Sequence, residues 1–88
     1  MASRTVDILN RRGLHARASA KFVTLAAGQT ASVEVEKDGS KVCATSIMGL
    51  MMLGAAMGDR ITISASGDGA EEAVALLAEL VEAKFHEE

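Results

Sequence analysis

The residues best suited to chemistry in this chain lie in one short stretch, "RRGLHARASAKFV", from Arg11 to Val23. His15 sits inside it, with Arg11 and Arg12 before it and Arg17 after it. A neutral imidazole is a competent nucleophile near neutral pH. A helical pattern begins at Ala16, so the backbone N–H groups of Ala16 and Arg17 have no helical partners and point toward any anion at the helix start. The Arg17 side chain adds a permanent and mobile positive charge. These parts could accept a phosphoryl group on a ring nitrogen and hold its oxygens. The same position also suits a loop histidine that caps the helix or packs against Leu14, and both readings stay open on this stretch alone. No metal is expected, because no second His, Cys or carboxylate pair stands near His15 at ligand spacing.

A second stretch, "TSIMGLMML", bears a short helix from Ile47 to about Leu53, with Ser46 as its N-cap. Ile47, Leu50 and Leu53 share the inward spacing, although Ile47 lies in the first turn and is only partly buried. Met48, Met51 and Met52 are then turned partly outward. Flexible thioethers serve equally as gap-fillers in a core and as an adaptable docking surface. Capping alone explains Ser46; the functional alternative is phosphorylation at a helix N-terminus beside that surface. Cys43 is expected to be partly exposed and inert, with nothing nearby to lower its thiol pKa. His86, in "AKFHEE", reads as a solvated tail residue.

Positioning these groups falls to a small chain of 88 residues, expected to form one domain over residues 1–88. Hydrophobic residues make up 49 % but aromatics only 2 %, so the core must be aliphatic, alanine and methionine. A net charge of −3 argues against a general nucleic-acid binder, and the absence of Trp and Tyr removes the usual stacking platforms. One cysteine cannot form an internal disulfide. The longest apolar run, "IMGLMMLGAAMG", is broken by glycines and falls short of the roughly 20 residues of a membrane span. "MASRTVDILNRR" has no apolar core of signal-peptide type. The expectation is a cytoplasmic protein with neither nucleic acid nor membrane as partner.

Periodicity orders the elements. "RTVDIL" is a strand with Val6 and Ile8 on one face, and "NRRG" is a loop with Gly13 as its flexible point. From Ala16 the period becomes helical, with Ala16, Ala20, Val23 and Ala27 on one face, Phe22 and Ala26 beside them, and Gly28 as the stop. "ASVEVEKDGSKVCA" is a hairpin around the type I′ pair Asp38-Gly39, which sets Lys37 opposite Ser40, Glu36 opposite Lys41, Val35 opposite Val42 and Val33 opposite Ala44. "RITISAS" turns Ile61, Ile63 and Ala65 inward. "AEEAVALLAELVEAKF" is an amphipathic helix with Ala70, Ala73, Val74, Leu77, Val81 and Phe85 on or near one stripe. The order β-α-β-β-α-β-α gives an α+β fold, an antiparallel sheet with helices on one face and water on the other.

The chain carries no P-loop, no Ser-His-Asp order and no paired acids for pocket chemistry. A reactive histidine on an open surface suits a carrier that hands a group between proteins. Here "GLHARASAKFV" and "TSIMGLMMLGA" resemble the active-site and regulatory-serine signatures of the HPr family. These are the histidine-containing phosphocarriers of the bacterial phosphoenolpyruvate-dependent phosphotransferase system. The resemblance covers essentially the whole chain.

It implies an open-faced β-sandwich with a four-stranded antiparallel sheet and three helices on one face. It implies phosphorylation of His15 on Nδ1 by phosphorylated Enzyme I and transfer to a histidine of an EIIA-type protein, with Arg17 binding the phosphoryl oxygens. Ser46 matches the second phosphorylation site, used by HPr kinase/phosphorylase. Ile47, Met48 and Met51 match the docking surface, with Ala20 bordering it and Met52 extending it. No cofactor is implied, and the chain would act as a monomeric co-substrate rather than an enzyme. A regulatory paralogue of the nitrogen branch, or a Ser46-signalling module of the same fold, is the alternative. Two departures stand out: Ala18 occupies a position usually held by proline, and Thr45 one that is often basic.

Overall fold

Strand alternation sets the architecture. In the computed structural model, which describes residues 1–87, four strands form one antiparallel sheet in the order β1-β4-β2-β3. They are β1 (Ala2–Asp7), β2 (Ser32–Lys37), β3 (Ser40–Cys43) and β4 (Arg60–Ser66). Each sends its valine and isoleucine side chains to one side. Val6, Val33, Val35, Ile61 and Ile63 are buried there, while Thr5, Asp7, Glu34 and Cys43 face solvent on the other side. Three helices, α1 (Ala16–Ala27), α2 (Ile47–Met52) and α3 (Ala70–Glu82), complete the fold. Among the described residues, no helix is long and apolar enough to cross a membrane.

The hairpin register is the one its turn demands. Lys37 pairs with Ser40, Glu36 with Lys41 and Val35 with Val42, and the Ala44 amide donates to the Val33 carbonyl at 3.0 Å. Asp38 and Gly39 have φ of 51° and 86°, as a type I′ turn requires. Lys41 swings diagonally, however, and its ammonium lies 3.9 Å from Glu34.

Three expectations need correction. The first strand begins at Ala2 and ends at Asp7, so Ile8 is buried just beyond it rather than within it. The buried face of α1 is Ala18, Ser19, Phe22 and Ala26, whereas Ala16 and Ala27 are exposed. Alanines are too small to orient a helix; Phe22, with no exposed surface, turns its own stripe inward. Finally, α3 stops at Glu82. Phe85 still reaches the core, but through a short 3-10 turn, Lys84–His86, in which all three residues have φ near 58°. A continuing helix would carry the tail away from α1; this left-handed turn folds it back. Ala18, in the place usually held by proline, lies fully buried inside a regular α1.

Candidate functional site

The loop from β1 to α1 is fixed before it delivers His15. Asn10 is buried, and its amide donates to the Gly13 carbonyl at 2.8 Å. Gly13 itself has φ 61°, and the Leu14 amide donates to Ala55 at 3.0 Å. Gly13 is therefore a point of close approach rather than a flexible one.

His15 is the N-cap of α1 with extended backbone angles, and its Nδ1 accepts the Arg17 amide N–H at 3.3 Å. Its Nε2 meets a carboxylate oxygen of Glu87. A carboxylate only accepts, so Nε2 carries the ring proton and Nδ1 presents its lone pair. Both contacts specify the same neutral tautomer. Around the ring, an open basin of roughly 450 Å³ is lined by Arg11, Arg12, Arg17, Lys21, His86 and Glu87.

His15 and Arg17 thus come together as expected, in a basin richer in positive charge than the motif alone implied. The Arg17 amide is not vacant, as the sequence had suggested, but rests on His15 itself. Ala16 is exposed at the first turn of α1. His86 is exposed, as a tail residue should be, yet it lines this same basin. Glu87 and Asn10 were not foreseen. Asn10 Nδ2 also donates to the second Glu87 oxygen at 3.1 Å, so the two residues form a unit joined only in three dimensions. The His15 hydrogen bond, helped by Asn10 and by the charge of Lys21, holds the Glu87 carboxyl below its usual value against an opposing burial effect.

Ser46 caps α2, which carries Met48, Met51 and Met52 and packs against α1. Ser46 Oγ accepts the Gly49 amide at 2.9 Å. Leu50 is fully buried and Leu53 nearly so. Ile47, Met48, Met51 and Met52 are 41 %, 68 %, 40 % and 79 % exposed, which decides between core filler and surface in favour of surface. Ala20 is half-buried on α1.

Cys43 corrects an expectation. The thiol is exposed, and the Thr45 hydroxyl 3.0 Å away lowers its pKa more than burial and Glu34 raise it. Among the described residues, no group of three or more His, Cys, Asp or Glu could hold a metal ion.

The family model for the PTS HPr component phosphorylation site matches residues 2–83. This chain belongs to the HPr family. Phosphocarrier protein HPr of Cupriavidus necator is 41 % identical over 87 residues, covering 99 % of this chain and 98 % of that one. Phosphocarrier protein NPr of Shewanella violacea is 40 % identical over 84 residues, covering 96 % and 92 %. The crystal structure of HPr-C-His from Thermoanaerobacter tengcongensis matches with a TM-score of 0.95 at 48 % identity, covering 100 % of this chain and 99 % of that one. The four-stranded antiparallel sheet and three helices of this HPr-family chain are therefore those of solved relatives.

Proposed function

We propose that this chain is a cytoplasmic, monomeric phosphocarrier of the phosphoenolpyruvate-dependent phosphotransferase system. It takes a phosphoryl group from phosphorylated Enzyme I onto His15 and passes it to a histidine of an EIIA-type protein. The observation that carries this reading is the single unprotonated ring nitrogen, His15 Nδ1, presented at the start of α1 within a basin of Arg11, Arg12, Arg17 and Lys21.

Nδ1 attacks phosphorus in line with the donor nitrogen, and the donor's N–P bond breaks as the new one forms. The Arg17 amide, released from Nδ1, turns to a phosphoryl oxygen, with the Ala16 amide beside it at the positive end of α1. The Arg17 side chain neutralises the developing charge. Onward transfer reverses these steps with a new acceptor. The chain catalyses nothing alone; it is a co-substrate of the proteins on either side.

Ile47, Met48, Met51 and Met52, bordered by Ala20, form the surface that meets both partners. A small apolar patch on a mobile thioether carpet supports weak and reversible contacts, which a fast carrier needs. Ser46, at the edge of that patch, is the site at which an HPr kinase/phosphorylase would set docking strength.

Incubation with Enzyme I and labelled phosphoenolpyruvate tests the assignment. Acid-labile phosphate should appear on the wild type and be absent from His15→Ala. Label that persists in His15→Ala refutes the role given to His15.

A further inference from the structure

The C-terminal tail folds back on α1 through a turn of unusual backbone geometry. Lys84, Phe85 and His86 have φ of 58°, 57° and 58°, a conformation strained for residues with side chains. Burial of Phe85 and a 2.7 Å hydrogen bond from Lys21 Nζ to the Phe85 carbonyl keep the turn closed. Its result is to lay Glu87 against His15. Asn10 meets Glu87 from the loop that also sets Gly13, and it does so with its own buried Oδ1 left without a protein partner. The His15 and Glu87 side chains are only 21 % and 17 % exposed, so their contact is partly shielded from water.

We propose that Glu87, aimed by Asn10, is a positioning residue for His15: its carboxylate keeps the proton on Nε2 throughout the phosphoryl cycle. This rests on the reading of His15 as the phosphoryl acceptor. When the Nδ1 lone pair forms the N–P bond, the donor leaves with the electrons of its own bond to phosphorus. The ring keeps its Nε2 proton and becomes cationic, and the Glu87 carboxylate offsets that charge. On departure, the N–P electrons return to Nδ1 and the original neutral tautomer is restored, with no proton gained or lost. A cationic ring is the better leaving group; loss of the Nε2 proton would leave a neutral, more inert phosphoimidazole. The carboxylate is faced by His15 and Lys21 from α1, by Arg11, Arg12 and Arg17 around the basin, and by Lys84 and His86 of its own turn. Glu87 is the acidic member of this set and the one in contact with Nε2.

Two measurements on the full chain test this. In ¹⁵N-histidine spectra of the unphosphorylated protein, the wild type should show a hydrogen-bonded His15 Nε2–H resonance that Glu87→Ala loses. Glu87→Gln keeps one oxygen that can accept from Nε2 but lacks the charge and the second acceptor that Asn10 uses. Phosphoryl loss to water from phosphorylated Glu87→Gln should shift its pH profile downward by about one unit, making loss on the upper limb about tenfold slower. An unchanged Nε2–H resonance in Glu87→Ala, or an unshifted profile in Glu87→Gln, overturns the proposal. Failure of the wild type to take up phosphate would instead refute the phosphocarrier reading, and the resonance would still decide whether Glu87 orients the ring.

Discussion

Gly13 shows how tightly the residues around His15 are set. A Cβ at this position would lie 2.2 Å from the Ala55 carbonyl oxygen and 2.8 Å from Ala56 Cα, both backbone atoms. Its φ of 61° is also costly for any residue with a side chain. Gly13→Ala should therefore destabilise the protein by about 3 kcal/mol in urea denaturation, well above the effect of a typical surface change. A loss within about 0.5 kcal/mol would show that the loop is not pinned to Ala55. The meeting of His15 and Arg17 could be read from the chain because they stand almost side by side at a helix start. Glu87 could not, because it reaches His15 only through a turn of improbable backbone geometry. Asn10 was hidden for the same reason: an asparagine in "NRRG" looks like an ordinary turn residue until its amide is seen to point at two carbonyl-type oxygens. The charge on Glu87 also has a pH consequence of definite sign. Its carboxyl is held low by His15, so the contact is present above the ordinary carboxylate range and is lost as pH falls through that depressed value.

At the scale of elements, α2 lets stability be separated from the proposed regulation. Ser46 Oγ caps α2 through Gly49, and a Cβ on Gly49 would lie 3.0 Å from that oxygen. Aspartate caps about as well as serine, whereas alanine does not cap at all. Ser46→Ala should lower stability by about 1 kcal/mol, while Ser46→Asp should unfold at nearly the wild-type denaturant midpoint. Ser46→Asp should nevertheless slow phosphorylation by Enzyme I about tenfold, by placing charge at the edge of the methionine surface. Unchanged kinetics in Ser46→Asp would refute the regulatory role given to Ser46. The elements themselves were legible where pattern and turn chemistry agreed, as in the Asp38-Gly39 hairpin. They were misjudged where one side chain type carried too little information. The alanines of α1 fit more than one face, and only Phe22 selects among them. The stripe that seemed to prolong α3 to Phe85 was hydrophobic spacing without helical backbone.

Across the whole molecule, charge is distributed against its total. The chain carries −3 overall, yet Arg11, Arg12, Arg17 and Lys21 converge around His15 while acidic residues such as Glu34, Glu71 and Glu72 lie elsewhere on the surface. On the proposed reading, the local field would draw a phosphorylated partner to one nitrogen. On that reading, the sheet supplies the rigid floor, the start of α1 the histidine, α2 the docking surface and the tail the residue that holds the ring. The central claim is that a single nitrogen, His15 Nδ1, carries the phosphoryl group. The chain has two histidines, His15 and His86, and both border the basin. The most direct measurement is therefore a ³¹P and ¹⁵N-histidine spectrum of the chain phosphorylated by Enzyme I and phosphoenolpyruvate. One phosphohistidine, with phosphorus coupled to Nδ1 of His15 and the His86 ring unmodified, is the predicted result. Phosphate on His86, or on Nε2 of His15, would contradict the account.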